Sequence, residues 1–341
     1  MKIRIGAIAA LVLFANAAAA QVPGARHVEF SAYPAFANAS EIARRMGSPL
    51  TTLDLQRRAV RSGMTVIEQP LKLAQEDFVV YVPARRPPHG FSLLVFVPPW
   101  QDARLPAGWA PTLERYGVIF VSAARSGNSE GVSDRREPLA LLAAFNAMHQ
   151  FPIDADSVYV AGFSGGARVA LRLALAYPDL FRGALLNAGS DAIGDAQIPL
   201  PPKDLFERFQ QRSRLVYVTG EADTSQLGMD QSSIRSLRRW CVFDVQSHVE
   251  PSAGHQVMGS TAFAWALSTL LHGDPTTSTK LPACRTAIEQ DLDGQLDTAE
   301  QLLSRGEHQD AGKLLSKIDA RFGGLAAPRI IELANRLATP N

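Results

Sequence analysis

The chain has 341 residues, with 34 Lys and Arg against 33 Asp and Glu, a formal net charge of +1. That balance argues against nucleic acid or an anionic surface as the main partner. Without its first twenty residues the length suits one large α/β domain with a small appendage.

Met1 to Ala20 reads as an export signal, residues 1–20. Lys2 and Arg4 supply the positive start, Ile5 to Phe14 the apolar core, and Ala18-Ala19-Ala20 a small-residue cleavage site. The apolar run is too short to span a bilayer, and no cysteine follows the cut to carry a lipid. The expected mature protein is periplasmic or secreted, with no integral membrane segment. Residues 21–64 are mixed, with short helices at Ser40 to Met46 and Leu50 to Val60, and read as a cover on the domain edge.

Residues 65–275 carry the rhythm strand, loop, helix. The runs Phe78 to Val82 and Phe91 to Val97 are split by the turn signal Pro87-Pro88-His89-Gly90. A helix around Thr112 to Tyr116 precedes the run Val118 to Val121. Asp134-Arg135-Arg136-Glu137 resembles a capping box before a helix with apolar residues at Leu139, Leu142, Phe145 and Met148. Further strands are expected at Val158 to Ala161, Ala184 to Leu186, Leu215 to Val218 and Phe243 to Val245. Helices are expected at Lys203 to Gln211, Ser232 to Trp240 and Thr261 to Leu271. This alternation predicts an α/β fold, a mostly parallel sheet covered by helices on both faces. Its functional residues should sit just past the carboxyl ends of strands.

The cysteines, Cys241 and Cys284, are an even count in an oxidising compartment. Bridged, they close a loop of 43 residues (284 − 241), worth roughly 4 kcal/mol in the chain-entropy model. Two buried free thiols are the alternative. Neither lies in a metal-ligand spacing, and no metal or cofactor is expected. Residues 276–341 form a linker and helical tail. Pro275 to Pro282 is polar and proline-bounded. Apolar stripes follow at Leu296, Ala299, Leu302 and Leu303, at Ala311, Leu314, Leu315 and Ile318, and at Ile330, Ile331, Leu333, Ala334 and Leu337. Gly306-Glu307-His308 resembles the turn of a tetratricopeptide-like hairpin. Its expected role is docking on the domain, with a protein contact as the second reading.

Chemistry centres on Gly162-Phe163-Ser164-Gly165-Gly166, where an apolar strand meets a helical pattern. This is the G-x-S-x-G frame of a nucleophile elbow, whose sharp turn needs small residues two places either side of the serine. The spelling recurs at Gly127-Asn128-Ser129-Glu130-Gly131, but inside a polar stretch with no helix starting at Ser129. Context selects Ser164. A serine needs a base and a group to orient it, in the order Ser, Asp or Glu, His. His255, in Pro251-Ser252-Ala253-Gly254-His255 after the last strand, is the candidate base. His248 reads as a strand residue, His272 as a helix cap and His308 as part of a polar turn. Asp223 is the candidate acid, past the strand Leu215 to Thr219. Glu221 and Asp230 are rivals, and Asp244 is placed within the last strand. Gly165 N–H should serve the oxyanion hole. Pro98 and Pro99 have no N–H to offer, so Trp100 is the second donor and Gln101 the reserve. Trp100 and Gln101 are also expected to bind substrate, and the loops Arg125 to Asp134 and Gly189 to Pro202 to shape the pocket.

Residues 77–272 resemble the α/β-hydrolase superfamily, in particular secreted polyhydroxybutyrate depolymerase and feruloyl esterase-like serine esterases. Ile153 to Gly166 carries most of the likeness, with Tyr177-Pro178-Asp179-Leu180-Phe181, Gly220-Glu221-Ala222-Asp223 and Gly254-His255. The resemblance implies an ester-cleaving enzyme with Ser164, Asp223 and His255 as triad, acting on a small or polymeric ester. The usual His-Gly of that group is here Pro98-Pro99, a departure in the oxyanion loop. Two rival readings share the elbow: a serine peptidase of prolyl-peptidase type, and an inactive hydrolase fold used for binding or scaffolding.

Overall fold

Eight strands form one sheet in the order β1-β2-β4-β3-β5-β6-β7-β8. They are β1 (Ala25–Val28), β2 (Phe78–Tyr81), β3 (Phe91–Val97), β4 (Val118–Ala123), β5 (Ile153–Phe163), β6 (Gly183–Asn187), β7 (Arg214–Gly220) and β8 (Val245–Glu250). The computed structural model describes residues 24–273 and 278–338. The expected export signal lies outside them, as does part of the expected linker. Only the β1–β2 and β2–β4 pairs are antiparallel; from β4 through β3 to β8 every pairing is parallel.

Alternation along the central strands divides the interior into two cores. Val95, Val97, Val158 and Val160 face one side, while Leu94, Phe96, Tyr159 and Ala161 face the other. Because side chains alternate and both faces are buried, these strands read as continuous apolar runs. On the first side lie α4 (Glu137–Gln150), α5 (Gly165–Ala176) and α6 (Lys203–Arg212). The second side is covered by α3 (Ala110–Tyr116) and α8 (Ser260–His272), where Trp109, just before α3, stacks on Phe263 at 3.8 Å. The architecture is a mostly parallel sheet covered by helices on both faces, with a C-terminal helical appendage.

Several expectations need correction. The last strand is β8, Val245–Glu250, so Asp244 precedes it and pairs with Arg214 at 2.9 Å. Polar residues disguised the start of α7 (Thr224–Arg239), which begins at Thr224 rather than Ser232. The capping box does not form. Residues Val132–Arg136 make a wide turn in which Arg136 N–H reaches the Gly131 carbonyl, and Glu137 binds Arg172 at 2.7 Å. The leading segment contains α1 (Ala39–Met46) and α2 (Pro49–Ser62) and also gives the sheet its edge strand β1. His308 opens a helix rather than lying in the turn before it.

The tail comprises α9 (Leu281–Ser304), α10 (His308–Phe322) and α11 (Arg329–Ala338). Leu296, Ala299, Leu315, Ile318, Phe322 and Ile330 are buried in the same apolar cluster as the first face of the sheet. Phe322 meets Trp240 edge-on at 5.8 Å. Asp319 accepts from Ser48 Oγ at 2.5 Å and from Leu50 N–H at 3.0 Å, joining α10 to the start of α2. A disulfide joins Cys241, past the end of α7, to Cys284 in α9. No described helix is long and apolar enough to cross a membrane.

Candidate active site

At the end of β5 the chain turns through Ser164, whose φ of 55° is unusual for a residue with a side chain. The turn brings backbone from three segments into contact. A Cβ on Gly162 would lie 2.3 Å from Gly166 C, and one on Gly166 would lie 1.9 Å from the Val97 carbonyl oxygen. Side chains at those two positions would push the elbow apart. Ser164 N–H donates to the Asn187 carbonyl at 2.8 Å, which pins the turn to the end of β6.

Asp223 follows β7 and caps α7, its Oδ1 accepting from Gln226 N–H at 3.5 Å. Its other oxygen, Oδ2, lies 2.6 Å from His255 Nδ1, and His255 Nε2 lies 3.0 Å from Ser164 Oγ. An ionised carboxylate only accepts, so Nδ1 carries the proton and Nε2 presents its lone pair to the serine hydroxyl. The Asp223 side chain is 9% exposed and that of His255 42%. A nearly buried anion therefore orients an imidazole that a ligand can reach. The Phe163 ring backs that imidazole at 5.0 Å.

The rival residues are engaged elsewhere. Asp230 accepts from Ser190 Oγ and Thr219 Oγ1, both at 2.5 Å, and burial pushes its carboxyl above the ordinary range. Glu221 accepts from Ser252 N–H at 3.0 Å. His248 is in β8 and packs on Trp265, while His272 Nδ1 lies 3.2 Å from the Ser268 carbonyl of the same helix. Among the described residues no group of three or more His, Cys, Asp or Glu could hold a metal ion.

Asn187 was missed by sequence reasoning. Besides its carbonyl bond to the elbow, its Nδ2 donates to the Val218 carbonyl of β7 at 3.0 Å. Its Oδ1 accepts from Met258 N–H, three residues past His255, at 2.9 Å. One buried residue, through its backbone carbonyl and its side chain, thus links the segments that carry Ser164, Asp223 and His255. Only an asparagine-like residue at a strand end marked it, which is too common to stand out.

The loop after β3 is clamped by residues 125–136. Asn128 N–H donates to the Pro99 carbonyl at 3.0 Å, and Arg125 N–H to the Gln101 carbonyl at 2.6 Å. Buried Arg136 donates to the carbonyls of Pro98 (3.1 Å) and Ser126 (2.9 Å). Gln101 Nε2 reaches Ser129 Oγ at 2.5 Å and Glu130 Oε1 at 3.1 Å, so the Gln101 side chain serves this clamp. In a trans peptide the C=O and N–H point in opposite directions, so holding Pro99 O fixes the heading of Trp100 N–H. The Trp100 indole packs near Phe96 and Phe163, with the Arg104 guanidinium 4.4 Å above it. A cleft of about 910 Å³ lies beside this loop, lined by Trp100, Arg104, Leu105 and Met258 among others. Of the loop 189–202, Asp191 pairs with Arg168 at 3.4 Å, whereas Ile198 and Leu200 are buried in the core.

No protein-family model matches the chain, and no curated protein does. Solved structures similar to it include a ferulic acid esterase, 14% identical, covering 59% of this chain and 91% of that one with a TM-score of 0.42. An S-formylglutathione hydrolase of Staphylococcus aureus is 16% identical, with 58% and 90% covered and a TM-score of 0.45. An acetyl xylan esterase of Aspergillus awamori is 16% identical, with 54% and 90% covered and a TM-score of 0.41. The chain's own strand order, its elbow after β5, and Asp223 and His255 past later strand ends make this an α/β-hydrolase fold.

Proposed function

We propose that the protein is an exported serine hydrolase that cleaves carboxylic esters through an acyl-enzyme on Ser164. The observation that carries this reading is the continuous relay from Asp223 Oδ2 through His255 to Ser164 Oγ, at 2.6 and 3.0 Å. Ser164 Oγ attacks the ester carbonyl carbon while its proton passes to His255 Nε2. Asp223 stabilises the imidazolium without taking the proton. The carbonyl oxygen becomes an oxyanion held by the N–H groups of Gly165 and Trp100. Collapse expels the alcohol, which receives its proton from His255 Nε2, and water then cleaves the acyl-serine by the same steps. Export rests on the leader pattern of Met1 to Ala20, and a periplasmic or secreted location suits the Cys241–Cys284 bridge.

The test is reaction of the purified protein with a fluorophosphonate probe, a panel of chromogenic esters and matching peptide amides. Wild type should label and turn over esters, and Ser164→Ala should lose labelling and about 10⁶-fold in kcat. Ser129→Ala should still label, because that hydroxyl belongs to the loop clamp. Turnover of amides without esters would establish the peptidase reading, and absence of Ser164-dependent labelling and turnover would leave only a binding module.

A further inference from the structure

The second Gly-x-Ser-x-Gly motif supplies no nucleophile, yet it sets one open polar side chain against the elbow. A Cβ on Gly165 would lie 2.2 Å from Asn128 Oδ1 and 3.2 Å from Nδ2, so the carboxamide rests on the residue directly after Ser164. Gly165 is also the first residue of α5, and the leading N–H groups of a helix have no acceptor within it. Asn128 is fixed from its other side by its N–H bond to the Pro99 carbonyl, the peptide that carries Trp100 N–H. It therefore touches both segments that carry the backbone donors assigned to the oxyanion, Gly165 through its side chain and Pro99 through its backbone.

Its neighbours on the clamp are engaged. Arg125 and Arg135 bind Glu76, Arg136 binds two carbonyls, and Ser129 and Glu130 bind Gln101. Asn128 alone in this group is exposed with a carboxamide that has no hydrogen-bond partner among the described residues. The facing loop has two prolines, Pro98 and Pro99, which cannot donate. A side-chain N–H offsets that loss.

We infer that Asn128 is a further catalytic residue of the ester cleavage proposed above, on which this inference rests. Its carboxamide donates a hydrogen bond to the substrate carbonyl oxygen that strengthens as the oxyanion forms. Donors aimed where charge develops act on the transition state more than on bound substrate, so the effect belongs in kcat.

The experiment compares wild type, Asn128→Ala, Asn128→Asp and Ser164→Ala for fluorophosphonate labelling, kcat and KM on 4-nitrophenyl esters, and thermal unfolding. Asn128→Ala should lower kcat on the order of 10²-fold with KM little changed. The aspartate keeps the shape but places negative charge beside the oxyanion. Asn128→Asp should fall below the alanine variant at pH 8, and its rate relative to wild type should rise as pH is lowered and the carboxyl gains a proton to donate. Unfolding midpoints should match, because the side chain is exposed and the bond to Pro99 is made by backbone. Wild-type kcat in the alanine variant, a change in KM alone, or an aspartate variant equal to wild type at every pH would overturn the assignment. A wild-type protein that neither labels nor turns over esters would sink the serine-hydrolase reading itself, and the inference with it.

Discussion

Ser164, Asp223 and His255 could be read from sequence because each sits at a break in an apolar run, where a strand ends and a polar loop begins. The groups that hold them could not. Asn187 acts through three bonds to segments that lie next to it only when β6 is in place. The clamp on Pro98 to Gln101 likewise comes from residues 125–136, and no local pattern announces such pairing. Asn187→Ala would leave Met258 N–H without its acceptor and remove a donor to Val218 O. It should cost about 1–3 kcal/mol in urea unfolding, the penalty for an orphaned buried polar group. It should also lower kcat by displacing the segment that carries His255. Asn187→Asp retains the acceptor for Met258 N–H but faces the Val218 carbonyl with an oxygen, so it should restore neither stability nor rate. Equal stability and kcat in Asn187→Ala and wild type would refute this linking role.

At the scale of elements, strands were the more legible class, since the buried runs of β3, β4 and β5 have few other uses. Helix starts were less so, and α7 shows why. Its first turns are polar and partly exposed, and the signal lay in the cap Asp223, whose other carboxylate oxygen meets His255. The junction of α1 with the segment after α5 was not visible at all. Buried Arg45 binds Asp179 through two bonds of 2.7 and 3.0 Å and lies 4.4 Å over the Tyr177 ring, while Glu41 accepts from it at 2.6 Å. Hydrogen bonds from Arg44, then Arg45, hold the Glu41 carboxyl down at about 2, against the opposing effect of burial. A carboxyl depressed in the folded state stabilises at pH values above its unfolded value, and the contribution is lost as pH falls through that value toward 2. Glu41→Gln should therefore unfold at lower urea than wild type at pH 7, with the gap closing progressively below about pH 4.3, the unperturbed glutamate value. A gap that stays constant from pH 7 to pH 2.5 would contradict this.

For the molecule as a whole, the composition break near residue 276 suggested an appendage, and the packing shows how firmly it is joined. Apolar residues of α9, α10 and α11 share a core with the sheet, Asp319 ties α10 to α2, and the disulfide crosses between α9 and the end of α7. Removing the bridge as Cys241→Ser/Cys284→Ser should lower unfolding stability by up to about 4 kcal/mol for a loop of this length. Ester turnover at 25 °C should persist, because Ser164, Asp223 and His255 lie past strand ends and their side chains hydrogen-bond one another and Gln226, not the described residues of the tail. Unchanged urea midpoints for the oxidised and serine forms would show that docking alone secures the tail.

β6 stands between β5 and β7 in the sheet, so the strand bearing the nucleophile never pairs with the strand before the acid. Ser164 and His255 are 91 positions apart, and their bond needs β6, β7 and β8 all in register. A chain caught before β6 inserts holds an elbow with no base to activate it. On the proposed function, ester hydrolysis should therefore report completed assembly. During refolding, far-ultraviolet ellipticity should recover ahead of the capacity to react with an ester, which keeps a half-folded chain chemically silent.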